Sequence, residues 1–156
     1  MRRETGVKGS TGDRGQDSIS VIFKNSIIEV YFEEGAKVNA RLGKHVVKTD
    51  QKERGGGEDS APAPFDYFLA SLATCAGIYV KVFCDKRGID SSKIRIMQKH
   101  RVDPQSRKLI GIDLDIILPD DFPDKYREAV IKAADQCAVK RVLKDPPEIE
   151  VRTVSA

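Results

Sequence analysis

Residues 65–84 read FDYFLASLATCAGIYVKVFC, the most apolar stretch in a chain whose residues are 33% charged. Its uncharged part runs only from Tyr67 to Val80, 14 residues, between Asp66 and Lys81. A bilayer requires roughly 20 predominantly apolar residues, and runs of roughly 10–14 are more often buried core helices. The stretch therefore predicts a core helix of a soluble protein, with no membrane contact. Pro64 suits its first position and Asp66 its first turn, where a negative charge matches the helix dipole. Lys86-Arg87-Gly88 supplies last-turn cations and a C-capping glycine. Apolar on nearly all sides, the helix is expected to be buried against sheets or a second subunit.

Upstream of it, QKERGGGEDSAPAP (51–64) reads as a flexible loop with three consecutive glycines and two prolines, the second of them Pro64. Before that loop the pattern is period two. Ile28, Val30 and Phe32 alternate, Glu34-Gly35 marks a turn, Val38, Ala40 and Leu42 alternate again, and His45 to Thr49 makes a further strand. Residues 1–18, MRRETGVKGSTGDRGQDS, carry almost nothing apolar and read as a disordered tail, with a single domain over 19–156. Downstream, Lys93 to Val102 leads through Asp103-Pro104-Gln105-Ser106 into LIGIDLDIILP, where Ile110, Ile112, Leu114, Ile116 and Leu118 share one face. A second helix is predicted over about 123–143, with Tyr126, Val130, Ala133 and Cys137 on one stripe. Lys144-Asp145-Pro146-Pro147 ends it, and a last strand spans Glu148 to Val154. Strands, helix, strands, helix, strand without regular βαβ alternation indicate an α+β fold.

The charge balance, 27 basic against 24 acidic residues mixed along the chain, leaves no basic stripe for nucleic acid. Arg2-Arg3 is followed by a polar run without an apolar core, so no signal peptide is expected. Three cysteines without a secretory signal point to the reducing cytoplasm. His45 and His100 stand apart and no CxxC or HxxxH spacing occurs, so no metal is expected. No phosphate-binding glycine loop of the required form is present either.

Cys75 and Cys84, nine residues apart on one helix, point to opposite faces and cannot pair. Cys84 reads as a small buried hydrophobe. Cys75 and Cys137 each sit on the apolar face of their own helix. From spacing they suit either a core or a reactive pair, in which a thiolate attacks and a second thiol resolves the oxidised sulfur. Cys75 lies about three turns inside its helix, beyond the N-terminal dipole, which fades within a turn. An ionised Cys75 would need a cation from another segment. Arg54 in the glycine-rich loop is one candidate, with Lys37, Lys48 and Lys52 as others; a solvated loop charge is the ordinary alternative for each.

Two contexts, APAPFDYFLASLATCAGIYV and AADQCAVKRVL, in this element order, resemble the OsmC/Ohr superfamily over about residues 19–155. The resemblance implies an intertwined homodimer with β-sheets wrapped around two central helices. It implies a thiol peroxidase in which Cys75 reduces organic hydroperoxides and Cys137 resolves its sulfenate. The disulfide would be reduced by a dithiol, in family members often a lipoyl group on a carrier protein, and no cofactor is implied. Arg54 falls close to the activating arginine of the OsmC branch. The family's peroxidases carry a glutamate ten residues before the cysteine; Phe65 occupies that position here, and Asp66 beside it is the acid in other branches. Asp66 also suits a plain helix-start acid. The alternative function is a non-peroxidatic OsmC-like binding protein with a small-molecule pocket at the dimer interface.

Overall fold

The structure, a computed structural model, describes residues 27–155. The expected tail and the chain around Ile19 lie outside them. The chain divides between Ala61 and Pro62 into two compact units.

In the first unit, β1 (Ile28–Phe32), β2 (Val38–Leu42) and β3 (His45–Val47) form an antiparallel meander in sequence order, as the period-two pattern requires. The register pairs Val30 with Ala40 and Ala40 with Val47. This places Ile28, Val30, Phe32, Ala40 and Val47 on one face. That apolar face is largely uncovered, with Phe32 80% and Val30 55% exposed. The buried residues of this unit are polar: Asn39, on the other face of β2, with Thr49 and Asp50 just beyond β3. The Asn39 side-chain oxygen accepts the Thr49 amide at 3.0 Å, and the Thr49 hydroxyl donates to the Val38 carbonyl.

The second unit opens with α1 (Pro64–Asp85). Pro64 has no amide hydrogen to leave unsatisfied, and the Asp66 carboxylate accepts the Ala63 amide at 3.1 Å. At the far end Gly88 turns the chain, and the Ile89 amide returns to the Cys84 carbonyl at 3.0 Å. By length and composition alone α1 could cross a membrane. Here one stripe, Leu72, Ala76, Val80, Phe83 and Cys84, is committed to the core. Ile78 and Val82 on the other side stay exposed, so this single chain covers the helix less than its composition predicts.

The hairpin β4 (Arg95–Val102) and β5 (Leu109–Ile117) follows α1. Ile112, Leu114 and Ile116 face the core as predicted. Ile110 does not: a register shift at Arg101/Val102 pairs Val102 with Leu109 and Arg101 with Gly111, and Ile110 is 60% exposed. An extra residue in one strand turns the side chain out of the alternating face.

The predicted single helix over 123–143 is also corrected. A 3-10 turn, Asp124–Tyr126, leads into α2 (Arg127–Ala134), and α3 (Ala138–Lys144) starts afresh. Between them the Gln136 amide bonds Ala133 and the Cys137 amide bonds Ala134, three residues back. Cys137 then leaves helical geometry (φ −49°, ψ 122°) and its sulfur accepts the Lys140 amide, capping α3. The expected last strand, Glu148 to Val154, is absent as well. Ile149 and Val151 alternate as a strand should, but among the described residues no strand pairs with them, and both are exposed.

Two clusters fill the unit. Val80, Phe83, Cys84, Phe122 and Val130 form the larger, and Leu72, Ala76 and Cys137 the smaller. Cys84 is fully buried in the first, the core role its sequence context indicated. Val130 is equally buried at the centre of the α1–α2 contact. Val130→Ala is expected to cost about 2 kcal/mol in urea unfolding, as lost apolar transfer plus a residual cavity.

Candidate functional site

The smaller cluster brings the two candidate cysteines together. Leu72, Cys75 and Ala76 lie three and four residues apart on one face of α1. Leu72 and Ala76 pack directly on Cys137, with Cys75 at the cluster's edge among Ile112, Leu114, Ala134 and Val139. Both sulfurs are free thiols, Cys75 half-buried and Cys137 fully buried.

Cys137 is held from two sides. Its sulfur accepts the Lys140 amide at 3.4 Å and donates weakly to the Leu72 carbonyl at 3.8 Å. Burial pushes its thiol above the ordinary value of 9.0; the Lys140 amide opposes this, and a hydrogen bond to Cys75 and the charge of an ionised Cys75 add to it. Burial foremost, with Cys75 beside it, thus favours the protonated Cys137 thiol.

Beside the cluster lies a groove of about 550 Å³. Leu72, Ala76, Ile96, Ile112, Leu114 and Leu143 supply apolar wall, and Asp135 and Lys140 also line it. These last two form an ion pair bridging the break between α2 and α3. Among the described residues no group of three or more His, Cys, Asp or Glu is placed to hold a metal ion.

The acid and the cation named from sequence are placed separately. Asp66 uses its carboxylate at the start of α1, on the Ala63 amide. Phe65 is 57% exposed and stacks on Phe68 at 5.3 Å. Arg54 belongs to the first unit, exposed in the 3-10 turn Glu53–Gly55.

The loop carrying Arg54 is not the flexible segment its glycines suggested. Asp50 is 1% exposed, and its carboxylate accepts the Gln51 amide (2.7 Å), the Glu58 amide (3.1 Å), the Ser60 amide (3.0 Å) and the Ser60 hydroxyl (2.7 Å). Sequence reading passed over Asp50. An aspartate entering a glycine-rich turn was the available signal, since its side chain caps nearby amides. Ser60 above all, its hydroxyl and then its amide, holds the Asp50 carboxyl down from 3.8 to about 2, with the Gln51 and Glu58 amides adding against burial. A depressed folded pKa gives stability that is present above the unfolded value and lost as pH falls through the folded one. The 51–60 loop is therefore expected to keep its order at about pH 4 and lose it towards about pH 2. Asp50→Asn should remove that transition, read by amide exchange at Glu58 and Ser60.

An α+β fold with antiparallel sheets, and in its second unit a buried cysteine beside a half-buried one, is thus defined. The chain belongs to the OsmC-like protein family, which matches residues 56–152. Among solved structures, the OsmC-like protein of Mycoplasma pneumoniae superposes with a TM-score of 0.61 at 15% identity, covering 80% of this chain and 90% of that one. The organic hydroperoxide resistance protein OsmC of Legionella pneumophila gives 0.51 at 16% identity, with 78% and 90% covered. An organic hydroperoxide resistance protein of Elizabethkingia anophelis gives 0.52 at 14%, with 80% and 91% covered. At such identities the likeness is one of fold. No curated protein sequence matches the chain.

Proposed function

We propose that the protein is a thiol-dependent peroxidase acting on organic hydroperoxides in the cytoplasm, as part of oxidative-stress defence. The Cys75 thiolate attacks the terminal peroxide oxygen. The O–O bond breaks, and the alkoxide leaves with the electron pair and takes a proton to become the alcohol. Cys75 is left as a sulfenic acid, oxidised by two electrons. The Cys137 sulfur then attacks it, hydroxide leaves and is protonated to water, and a Cys75–Cys137 disulfide remains. A dithiol, such as a lipoyl group on a carrier protein, returns the disulfide to thiols. Arg54 is the cation assigned to the Cys75 thiolate, and Asp66 the acid assigned to orient it.

The observation that carries this reading is the contact between Cys75 and Cys137 at one small cluster beside an apolar groove. Two thiols there can form a disulfide, and the groove suits the organic half of a peroxide. The names of the Legionella and Elizabethkingia relatives are in keeping with that substrate class. A homodimer is part of the proposal, supported by the uncovered face of Val30 and Phe32 and by exposed Ile78 and Val82 on α1. Light scattering is expected to give twice the monomer mass.

The test is to add one equivalent of cumene hydroperoxide to the reduced protein and map its thiols by mass spectrometry. A Cys75–Cys137 disulfide is expected. Its absence, with peroxide left unconsumed, would favour the alternative of a non-peroxidatic binding protein, which Asp66 engaged at the helix start and Phe65 beside it also suit.

A further inference from the structure

We infer that the basic face of α3, made by Lys140, Arg141 and Lys144, is a docking surface for the protein that returns the Cys75–Cys137 disulfide to thiols, and that this partner presents carboxylates there. The inference rests on the proposed function in taking that disulfide as the oxidised state.

α3 begins directly after Cys137 and carries three cations and no acid in its 7 residues, AVKRVLK. Lys140 and Lys144 are four positions apart and Arg141 and Lys144 three, so the cations share one side of the helix. Like charges at this spacing repel and weaken a helix. Lys140 is paired with Asp135 across the break from α2, and Lys144 acts on the same carboxylate through space. Arg141 has no ion pair among the described residues, and its Nε is buried without a hydrogen-bond partner.

Ordinary helix electrostatics account for part of this. A cation in the last turn suits the negative end of the helix dipole, and Lys144 meets that need. It does not account for Arg141. A guanidinium cannot shed its charge, and a buried donor left unpaired bears the full cost of losing water. A carboxylate arriving at Arg141 meets a planar fork whose inner nitrogen is already enclosed, so little side-chain freedom remains to be lost.

An apolar edge lies alongside. Val142 and Leu143 are exposed, and Leu143 also lines the groove that reaches Leu72 and Ala76 of the cysteine cluster. The Arg141 amide donates to the Cys137 carbonyl at 3.1 Å, so a partner held at Arg141 sits one helical turn from Cys137. Cys137 is fully buried and Cys75 half-buried, which makes Cys75 the sulfur an outside thiolate can reach. The thiolate of an incoming dithiol attacks Cys75, the Cys75–Cys137 bond breaks, and Cys137 leaves as a thiolate and takes a proton. The second sulfur of the dithiol then displaces Cys75, which takes the other proton. The dithiol is oxidised to a disulfide by two electrons, and the protein disulfide is reduced by the same two.

The experiment oxidises the full chain with diamide, which gives the disulfide without any peroxide, and follows its reduction by quenched flow and mass spectrometry. Two synthetic peptides are the probes, each with the same Cys-x-x-Cys centre, one flanked by glutamates and the other by glutamines. Wild type at about 20 mM salt is expected to react about tenfold faster with the glutamate peptide, as a charge-steered encounter should. At about 0.5 M salt, where screening acts within roughly 4 Å, the ratio should approach one. Arg141→Gln should lower the low-salt ratio to about threefold, and Arg141→Gln/Lys144→Gln to about one. Lys86→Gln, which removes an exposed cation at the end of α1, should keep the wild-type ratio. Uncharged dithiothreitol should reduce every variant at the wild-type rate, which a general loss of structure would not allow.

A ratio near one in wild type, or the same ratio in wild type and the double variant, overturns the docking surface. A double variant with half the wild-type mass in light scattering would assign this face to a second copy of the chain and overturn it too. If diamide forms the disulfide and cumene hydroperoxide does not, the peroxidase reading fails, and the peptide ratio still decides for or against docking. If neither oxidant forms it, both fail.

Discussion

Cys75→Ser is expected to abolish peroxide consumption, lowering the rate at least about a thousandfold, because a serine hydroxyl cannot replace a thiolate as the attacking group. Cys137→Ser is expected to behave differently. Cys75 is still present, so the first equivalent of cumene hydroperoxide is consumed at the wild-type rate. The sulfenic acid then has no resolving thiol, turnover stops, and excess peroxide drives Cys75 to the sulfinic acid. Stopped-flow consumption of peroxide with mass spectrometry of the Cys75 peptide separates the two variants. A Cys137→Ser protein that turned over repeatedly without external thiol would refute the pairing.

The same geometry fixes the sign of a pH effect in the wild-type protein. Burial raises the Cys137 thiol above its ordinary value, and the charge of Cys75 raises it further. Once Cys75 is a sulfenic acid it carries no thiolate charge, and that part of the shift disappears while burial persists. The attacking species is the thiolate. Disulfide formation should therefore speed up as pH rises through the neutral range, with Cys137 still mostly protonated at its lower end. A rate that falls as pH rises would contradict this.

How far the sequence went is clearest at its two helical regions. Flanking charges, Pro64 and Gly88 are local signals, and α1 appeared within a few residues of its expected ends. The break before α3 is not local. Ala134-Asp135-Gln136-Cys137 contains no proline or glycine, and the chain leaves the helix where the Cys137 sulfur meets the Leu72 carbonyl, 65 residues away. Period two at Ile149 and Val151 likewise states only a readiness to pair. A strand needs a neighbour, and the described residues offer it none. The cysteine contact was open from the sequence because two inward helix faces have many ways to meet; packing Leu72 and Ala76 on Cys137 chooses one. Asp50 was not legible because three of the four hydrogen bonds it accepts come from backbone amides, which carry no sequence signal.

Gly57→Ala and Gly111→Ala are expected to differ sharply in cost, although both place a methyl group where there is no room. At Gly111 the obstacle is the Arg101 guanidinium, whose Nη2 lies 2.3 Å from the new Cβ position. That side chain is exposed and held by Asp113 at 2.8 Å, and it can swing aside at the loss of a surface ion pair. The cost should be within about 1 kcal/mol. At Gly57 the obstacles are the Gln51 carbonyl oxygen and Asp50 Oδ1, neither on a flexible side chain. The carbonyl already accepts the Asp59 amide, and the carboxylate is buried with its hydrogen bonds satisfied. Relief requires moving the backbone of the loop, which breaks those bonds together rather than singly. An overpacked, rigid site of this kind loses about 3 kcal/mol. Amide exchange at Glu58, Asp59 and Ser60 should rise more than a hundredfold in Gly57→Ala, since about 1.4 kcal/mol is a factor of ten. In Gly111→Ala the same amides should keep wild-type protection. Equal exchange in the two proteins would mean that the loop yields as easily as a surface arginine, and that Asp50 does not hold it.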